Sequence, residues 1–243
     1  MTPLTDDLRA TLYDAENVWA EDDDFFLALA NEHPVSRVLD LGCGTGRLTT
    51  ALAAAGHIVM GVDPDEGAVT AARLKPHAED VDWVLGTSSA LDSGARFDLV
   101  LMTAHVVQAI ADPGEWRRTL ADLHRVLVPG GRLAFDSRDP AARAWERWNP
   151  QESHGMTELD DGTRVEGWYE VTAVTDGVVT LDEHAVLPDG THDVQTGELA
   201  FRDEDRLRGD LRREGFTVDH VFGGWHREPV GRGDGELVVV AHR

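Results

Sequence analysis

The 243-residue chain carries 45 acidic against 22 basic side chains, a formal charge of −23, and 42% of its residues are hydrophobic. That balance repels a phosphate backbone and removes the counterion release that drives nucleic-acid binding, which makes DNA and RNA poor substrates. No run is long and apolar enough to span a membrane, the basic-then-apolar order of a secretory leader is missing, and the single cysteine permits neither an internal disulfide nor a cysteine-based zinc site; the expectation is a soluble, cytoplasmic protein with one domain, 1–243.

Residues 4–14 and 22–31 read as two helices, the second with acids in its opening turn as the helix dipole favours. Together, residues 1–32 are expected to roof a ligand, with Tyr13 and Trp19 as candidates to face it. Residues 35–41 are apolar and β-branched enough for a buried strand, and residues 48–55 are rich in Ala and Leu, which favours a helix. Between them Asp40, Gly42, Gly44 and Gly46 place an acid and three glycines at a strand-to-helix turn. Glycine lets the backbone turn sharply there and lets a ligand touch main-chain N–H groups. Position 47 is Arg, where a dinucleotide fingerprint needs another glycine, and Asp40 would repel a diphosphate while attracting an ammonium. Residues 56–64 give a second strand ending at Asp63, whose two oxygens suit a vicinal diol. Singly these residues would make a tight turn and helix caps. Jointly, inside one βαβ unit, they point to a nucleoside cofactor with a cationic amino-acid end.

A third strand, VDWVLGTSSAL, ends at Thr87, Ser88 and Ser89, and FDLVLMTAHVVQ supplies a fourth. Asp112, Pro113 and Glu115 signal a helix over 113–127, stopped by Pro129 and Gly130, before a fifth strand at 132–136. Asp139 then opens another capped helix, with Trp145 and Trp148 near its end. From 156 to 201 the chain turns to Val, Thr and single Gly, with turn pairs Asp161-Gly162, Asp176-Gly177 and Asp189-Gly190. This predicts an antiparallel sheet of three or four strands inside an excursion spanning 151–202. A helix over 203–214, stopped by Gly215, and strands at 216–222 and 236–240 bring the main sheet to seven strands.

The acid and three alternating glycines resemble the first motif of the class I S-adenosylmethionine-dependent methyltransferases, small-molecule type. The resemblance covers roughly the first 140 residues, within one α/β domain length, and the remainder only by layout. It implies an α/β fold with a Rossmann-like, mostly parallel seven-stranded sheet, helices on both faces and a small antiparallel β excursion before the sixth strand. The last strand would insert antiparallel beside the fifth with the sixth at the edge, and the excursion would carry substrate recognition or homodimer contacts. The same resemblance assigns the methionine part of S-adenosylmethionine to Asp40, Gly42, Gly44 and Gly46, the ribose to Asp63, and the adenine to Thr87 and Ser88. Thr87 stands where the family has an acid. Thr103, ending the fourth strand, joins the cofactor set.

Methyl transfer from a sulfonium is an in-line displacement, which asks for alignment and a dry site and requires no metal. The carboxyl ends of strands four and five collect Thr103, His105, Gln108, Asp136, Ser137 and Arg138. His105 is the candidate base, since neutral imidazole takes a proton near pH 7; the alternative is that it orients substrate or packs under the cofactor. Arg138 either clamps a substrate carboxylate or pairs with an Asp. Gln108 is a candidate for substrate contact, and Trp145 and Trp148 for the pocket wall, with core or dimer packing as the alternative for the tryptophans. Lys75, the only lysine, sits at a helix end before Pro76 and is ill placed for Schiff-base chemistry. The sequence MTAH lacks the Asn/Asp-Pro-Pro-aromatic run of base amino-methylation and the acid that would ligate magnesium, and no HExxH pattern occurs. A small organic acceptor, methylated on N, O or C, remains. Two other classes stay open: an NAD(P)-dependent oxidoreductase, opposed by Arg47, and a non-catalytic S-adenosylmethionine-binding protein, opposed by the polar groups at His105, Gln108 and Arg138.

Overall fold

The computed structural model describes residues 4–243, so the first three residues of the expected N-terminal roof lie outside it. Helices α1 (Asp6–Glu16) and α2 (Glu21–Asn31) come first. Then follow β1 (Arg37–Leu41), α3 (Arg47–Ala54), β2 (Ile58–Asp63), α4 (Glu66–Ala72), β3 (Val81–Leu85), β4 (Phe97–Met102), α5 (Val106–Ala109), α6 (Pro113–Val126) and β5 (Leu127–Arg138). A second group comprises β6 (Gly155–Glu158), β7 (Arg164–Thr175), β8 (Val178–Val186) and β9 (His192–Ala200). The chain closes with α7 (Glu204–Arg213), β10 (Thr217–Phe222) and β11 (Glu236–His242).

The main sheet has the order β10-β11-β5-β4-β1-β2-β3 and is parallel except for β11, which pairs antiparallel with both β5 and β10. The sequence-predicted insertion of the last strand beside the fifth is therefore present. Because successive side chains leave a strand on opposite faces, neighbours in sequence join different cores. Leu39, Leu133, Phe135 and Val239 pack with Trp116 and Leu120 of α6 and Leu207 of α7. Val38, Leu99, Leu101 and Val238 pack with Phe26 of α2 and Leu52 of α3. Both faces being covered, the central strands read as nearly continuous apolar runs. Helix α6 starts as expected: Asp112 accepts from the Glu115 amide at 2.7 Å and Pro113 fills the first turn. Its Trp116 is buried and donates through Nε1 to Asp210 of α7, which locks the two helices together.

The expected helix from Asp139 is absent. Two short 3₁₀ turns, Pro140–Ala142 and Ala144–Arg147, are separated by Arg143 at φ +50°. The segment has a cap but no apolar face at helical spacing, and aromatic contacts decide its course: Trp145 meets Phe201 edge-on at 4.5 Å, and Trp148 leans on Tyr169. The excursion, by contrast, forms the expected antiparallel sheet, ordered β6-β7-β8-β9. Asp176 and Gly177 both take positive φ in the two-residue loop between β7 and β8, as a tight hairpin turn demands.

Candidate functional site

At the end of β1 the chain enters the glycine turn. The amides of Gly42 and Cys43 donate to the Val62 carbonyl at 2.7 and 3.2 Å, fastening the turn to β2. Gly42 has φ +79°, and a Cβ there would lie 2.3 Å from Val106 Cγ2 of α5. A Cβ on Gly46, at φ +80°, would meet the Trp83 ring at 2.6 Å. Gly44, at φ +52°, has no atom within 4 Å of such a position. Two glycines thus permit packing behind the loop, while the middle one leaves open space in front of it. Asp63 faces the same space, fixed by the amides of Gly44 at 2.8 Å and Asp65 at 2.9 Å. Each of its oxygens keeps accepting capacity. Asp40 lies deeper: one oxygen takes the Thr49 hydroxyl at 2.6 Å, the other is buried without a donor, and burial pushes the carboxyl up to about 6. Burial likewise raises the Cys43 thiol, so this cysteine is a small packing residue and not a nucleophile.

In front of Gly44 and Asp63 opens a cavity of about 410 Å³. Helix α1 lies across it, contributing Tyr13 and Glu16, and is clasped to the loop by Asp14, which takes the Thr45 hydroxyl and pairs with Lys75 at 2.8 Å. The lone lysine is therefore a fastener. Arg47, the residue that breaks the dinucleotide pattern, binds Asp22 and Asp23 and so holds the start of α2 on the start of α3. The far wall of the cavity is the inner face of the second sheet. Register puts Tyr169, Glu183 and Gln195 in one cross-strand row and Gly167, Ala185 and Asp193 in the next.

Beside the cavity, His105 occupies a left-handed turn at φ +64° ahead of α5. Its amide donates to Asp136 Oδ2 at 2.9 Å, and its ring Nε2 lies 3.0 Å from the Glu236 carboxylate and 3.4 Å from Asp136. A carboxylate only accepts, so the neutral ring carries its hydrogen on Nε2 and its lone pair on Nδ1. Asp136 is fully buried, has one oxygen without a donor, and is pushed up to about 6, chiefly by burial. The donor atoms of His105, Asp136 and Glu236 lie within 4.8 Å of one another, a spacing at which a small divalent cation could also be held.

Gly44, Asp63 and Tyr13 meet at the cavity, and His105 flanks it through Val106. Trp19, half exposed and bonded to Asp24, does not face it. Ser88 is buried against α6, donating to Asp122 at 3.0 Å, and Thr87 bonds Ser89, so neither hydroxyl turns to the cavity. Thr103 supplies its carbonyl to the Val106 amide. Gln108 is fully buried and accepts from the Arg138 guanidinium at 3.1 Å, while Trp148 stacks under that guanidinium at 5.2 Å. Arg138 makes no ion pair among the described residues, so the expected pairing with an Asp does not occur. Sequence reasoning missed Glu236, Tyr169, Glu183, Gln195 and Asp193. The alternation along 165–195 marked a strand face, yet only register brings these side chains to one wall.

Residues 38–131 match a family model described as a methyltransferase domain. The ubiquinone biosynthesis O-methyltransferase of Ruegeria pomeroyi is 35% identical over 148 residues, covering 54% of this chain and 57% of that protein, so the chain spans little more than half of the relative. A S-adenosylmethionine-dependent methyltransferase from Clostridium acetobutylicum superposes with a TM-score of 0.75 at 18% identity, covering 97% and 96% of the two chains. The amino pentose methyltransferase CalS10 from Micromonospora echinaspora, solved with S-adenosylmethionine bound, gives 0.71 at 20% identity and covers 100% and 99%. At these identities the structural likeness establishes a common fold.

Proposed function

We propose that the chain, whose residues 38–131 match a methyltransferase-domain model, is an S-adenosylmethionine-dependent methyltransferase acting on a small organic acceptor. The observation that carries this reading is the open position in front of Gly44 with the fixed Asp63 carboxylate beside it. A Cβ at 44 would project into the space the cofactor needs, and Asp63 presents accepting oxygens where a ribose diol belongs. Asp40, with a buried oxygen that has no donor, would hold the cationic amino-acid end. The bound cofactor supplies a methyl group on a sulfonium, open to in-line attack.

The chain's own part is to close the site and handle one proton. Helix α1 and the second sheet wall the space between them. His105 receives the acceptor's proton on Nδ1, while Glu236 holds the Nε2 hydrogen and stabilises the imidazolium that results. Arg138, steadied by Gln108 and Trp148, belongs to the acceptor side.

Calorimetric titration with S-adenosylhomocysteine and, separately, NAD tests the cofactor. Micromolar binding of the former alone is expected; binding of NAD alone would return the chain to the oxidoreductases. His105→Gln should lower kcat by about 10²–10⁴ with S-adenosylhomocysteine affinity unchanged. Full turnover in that variant would remove the base.

A further inference from the structure

We propose that His184 and His192, on the outward face of the second sheet, form a binding site for one transition-metal dication, copper(II) above all; the site is independent of the methyltransferase reading. The two rings belong to neighbouring strands. In register His184 stands opposite Val194 and His192 opposite Val186, a diagonal placement that brings Nδ1 of His184 to 3.0 Å from Nε2 of His192. Their neighbours in sequence, Glu183, Ala185 and Asp193, point the other way and line the cavity.

As a hydrogen-bonded pair the two rings are incompletely satisfied. A neutral imidazole has one N–H and one lone pair. If His192 donates, the His184 hydrogen sits on Nε2, which is buried and has no hydrogen-bond partner among the described residues. If His184 donates instead, that same buried Nε2 is a bare lone pair, and the Glu170 carboxylate 3.8 Å away offers it no hydrogen. A bound dication resolves both cases. The two facing lone pairs go to the ion, each ring keeps its hydrogen on the far nitrogen, and the His184 Nε2–H turns toward Glu170, the kind of carboxylate a ligating histidine commonly has behind it.

Spacing and surroundings select the ion. Two nitrogens about 2.0 Å from one ion stand about 2.9 Å apart at the right angle of a tetragonal centre and about 3.3 Å apart at the tetrahedral angle. The observed 3.0 Å is nearer the first, the geometry of copper(II) and nickel(II), and copper leads the affinity order for nitrogen ligands. Trp168 lies parallel to the His184 ring, with centroids 4.6 Å apart and 8° between the planes, which holds the imidazole against tilting and leaves it free to turn within its plane toward an ion. Glu170 and Asp182 stand opposite each other in the adjoining row of the same face, a like-charge pair that a nearby cation relieves. His154 also stacks on Trp168, at 5.8 Å, but its Nε2 is engaged by Glu166 at 2.6 Å and it is not a ligand. The ion clips β8 to β9 directly behind the cavity wall.

The test is calorimetric titration of chelator-stripped protein with copper(II), nickel(II), zinc(II) and magnesium salts, each alone. Copper is expected to bind with micromolar or tighter Kd, nickel and zinc more weakly and magnesium not at all, and bound copper should quench emission that is missing from Trp168→Phe. His184→Asn and His192→Asn should each weaken copper at least thirtyfold, with metal-free Tm within a few degrees of the parent to report that they fold. Glu170→Gln should weaken it about threefold, less than a buried partner would, since Glu170 is 53% exposed. His154→Asn should leave the affinity within twofold, and so should His105→Gln, which removes the only imidazole of the His105, Asp136 and Glu236 cluster. No saturable copper site, copper affinity unchanged in either His184→Asn or His192→Asn, or magnesium bound as tightly as copper would overturn the proposal.

Discussion

The two walls of the cavity are made in different ways. One is backbone: Gly42 to Asp65, a single turn-helix-strand passage, presents amides, an empty Cβ position and the fixed carboxylate of Asp63. The other is side chain: α1 contributes several groups, among them Arg9, Tyr13 and Glu16, and β7, β8 and β9 contribute one or two each across the pleat of a sheet. A backbone wall is set by dihedral angles and by what packs behind it, so it tolerates little change. A side-chain wall can alter its chemistry residue by residue while every sheet hydrogen bond stays in place, because outward groups on a strand carry no ladder bonds. The molecule thus pairs a rigid half suited to one invariant ligand with an adjustable half suited to a particular one.

The largest effect should come from attacking the rigid half from behind. Gly42→Ala meets Val106 at 2.3 Å and keeps φ +79°, and should cost about 3 kcal/mol of stability in chemical denaturation. A cost below 1 kcal/mol would mean the loop yields.

The next effect follows from the buried acids. Asp40 and Asp136 bind their protons more tightly folded than unfolded, so the stability they contribute is full below about pH 4 and is lost as pH rises through about 6. Each accounts for up to roughly 3 kcal/mol. Free protein should lose Tm between pH 4 and 7, and Asp136→Asn should flatten that slope.

Asp63→Ala should weaken S-adenosylhomocysteine at least tenfold, about 1.4 kcal/mol; unchanged affinity would detach the ribose from Asp63. Gly44→Ala carries only the cost of its left-handed backbone, about 1 kcal/mol, yet should lower S-adenosylhomocysteine affinity by more than Gly42→Ala does per unit of stability lost. Lys75→Met sits at the small end, below about 1 kcal/mol, because the Lys75–Asp14 pair is partly exposed and screened by salt.

The same contrast explains what could be read from the chain beforehand. The backbone wall is local: Asp40, three glycines and Asp63 lie within one βαβ unit, and the requirement for positive φ writes itself as Gly. Strand order followed from the same passage and its resemblance. The side-chain wall joins residues 9, 13 and 16 to 169, 183 and 193, and their meeting depends on hairpin register, which the Asp-Gly turns signal, and on which face of the sheet meets α1, which nothing local signals. Glu236 was hidden for a related reason: it reaches His105 only because β11 returns antiparallel beside β5. The helix expected at Asp139 failed where capping residues were present without a periodic apolar face, and tertiary aromatic contacts took over.

Arg202, just past the end of β9, donates to the carbonyls of Val107 and Ile110 at 2.7 and 2.6 Å and lies over the Trp116 ring. It ties off the carbonyl end of α5, the short helix whose first turn sets His105, so the imidazole takes its position from the second sheet as much as from β4. The second sheet and His105 are consequently coupled in position. Transplanting 155–200 onto another core of this fold would carry the side-chain wall but leave behind the anchor that aligns it, whereas a transplant ending after Arg202 would move wall and anchor together.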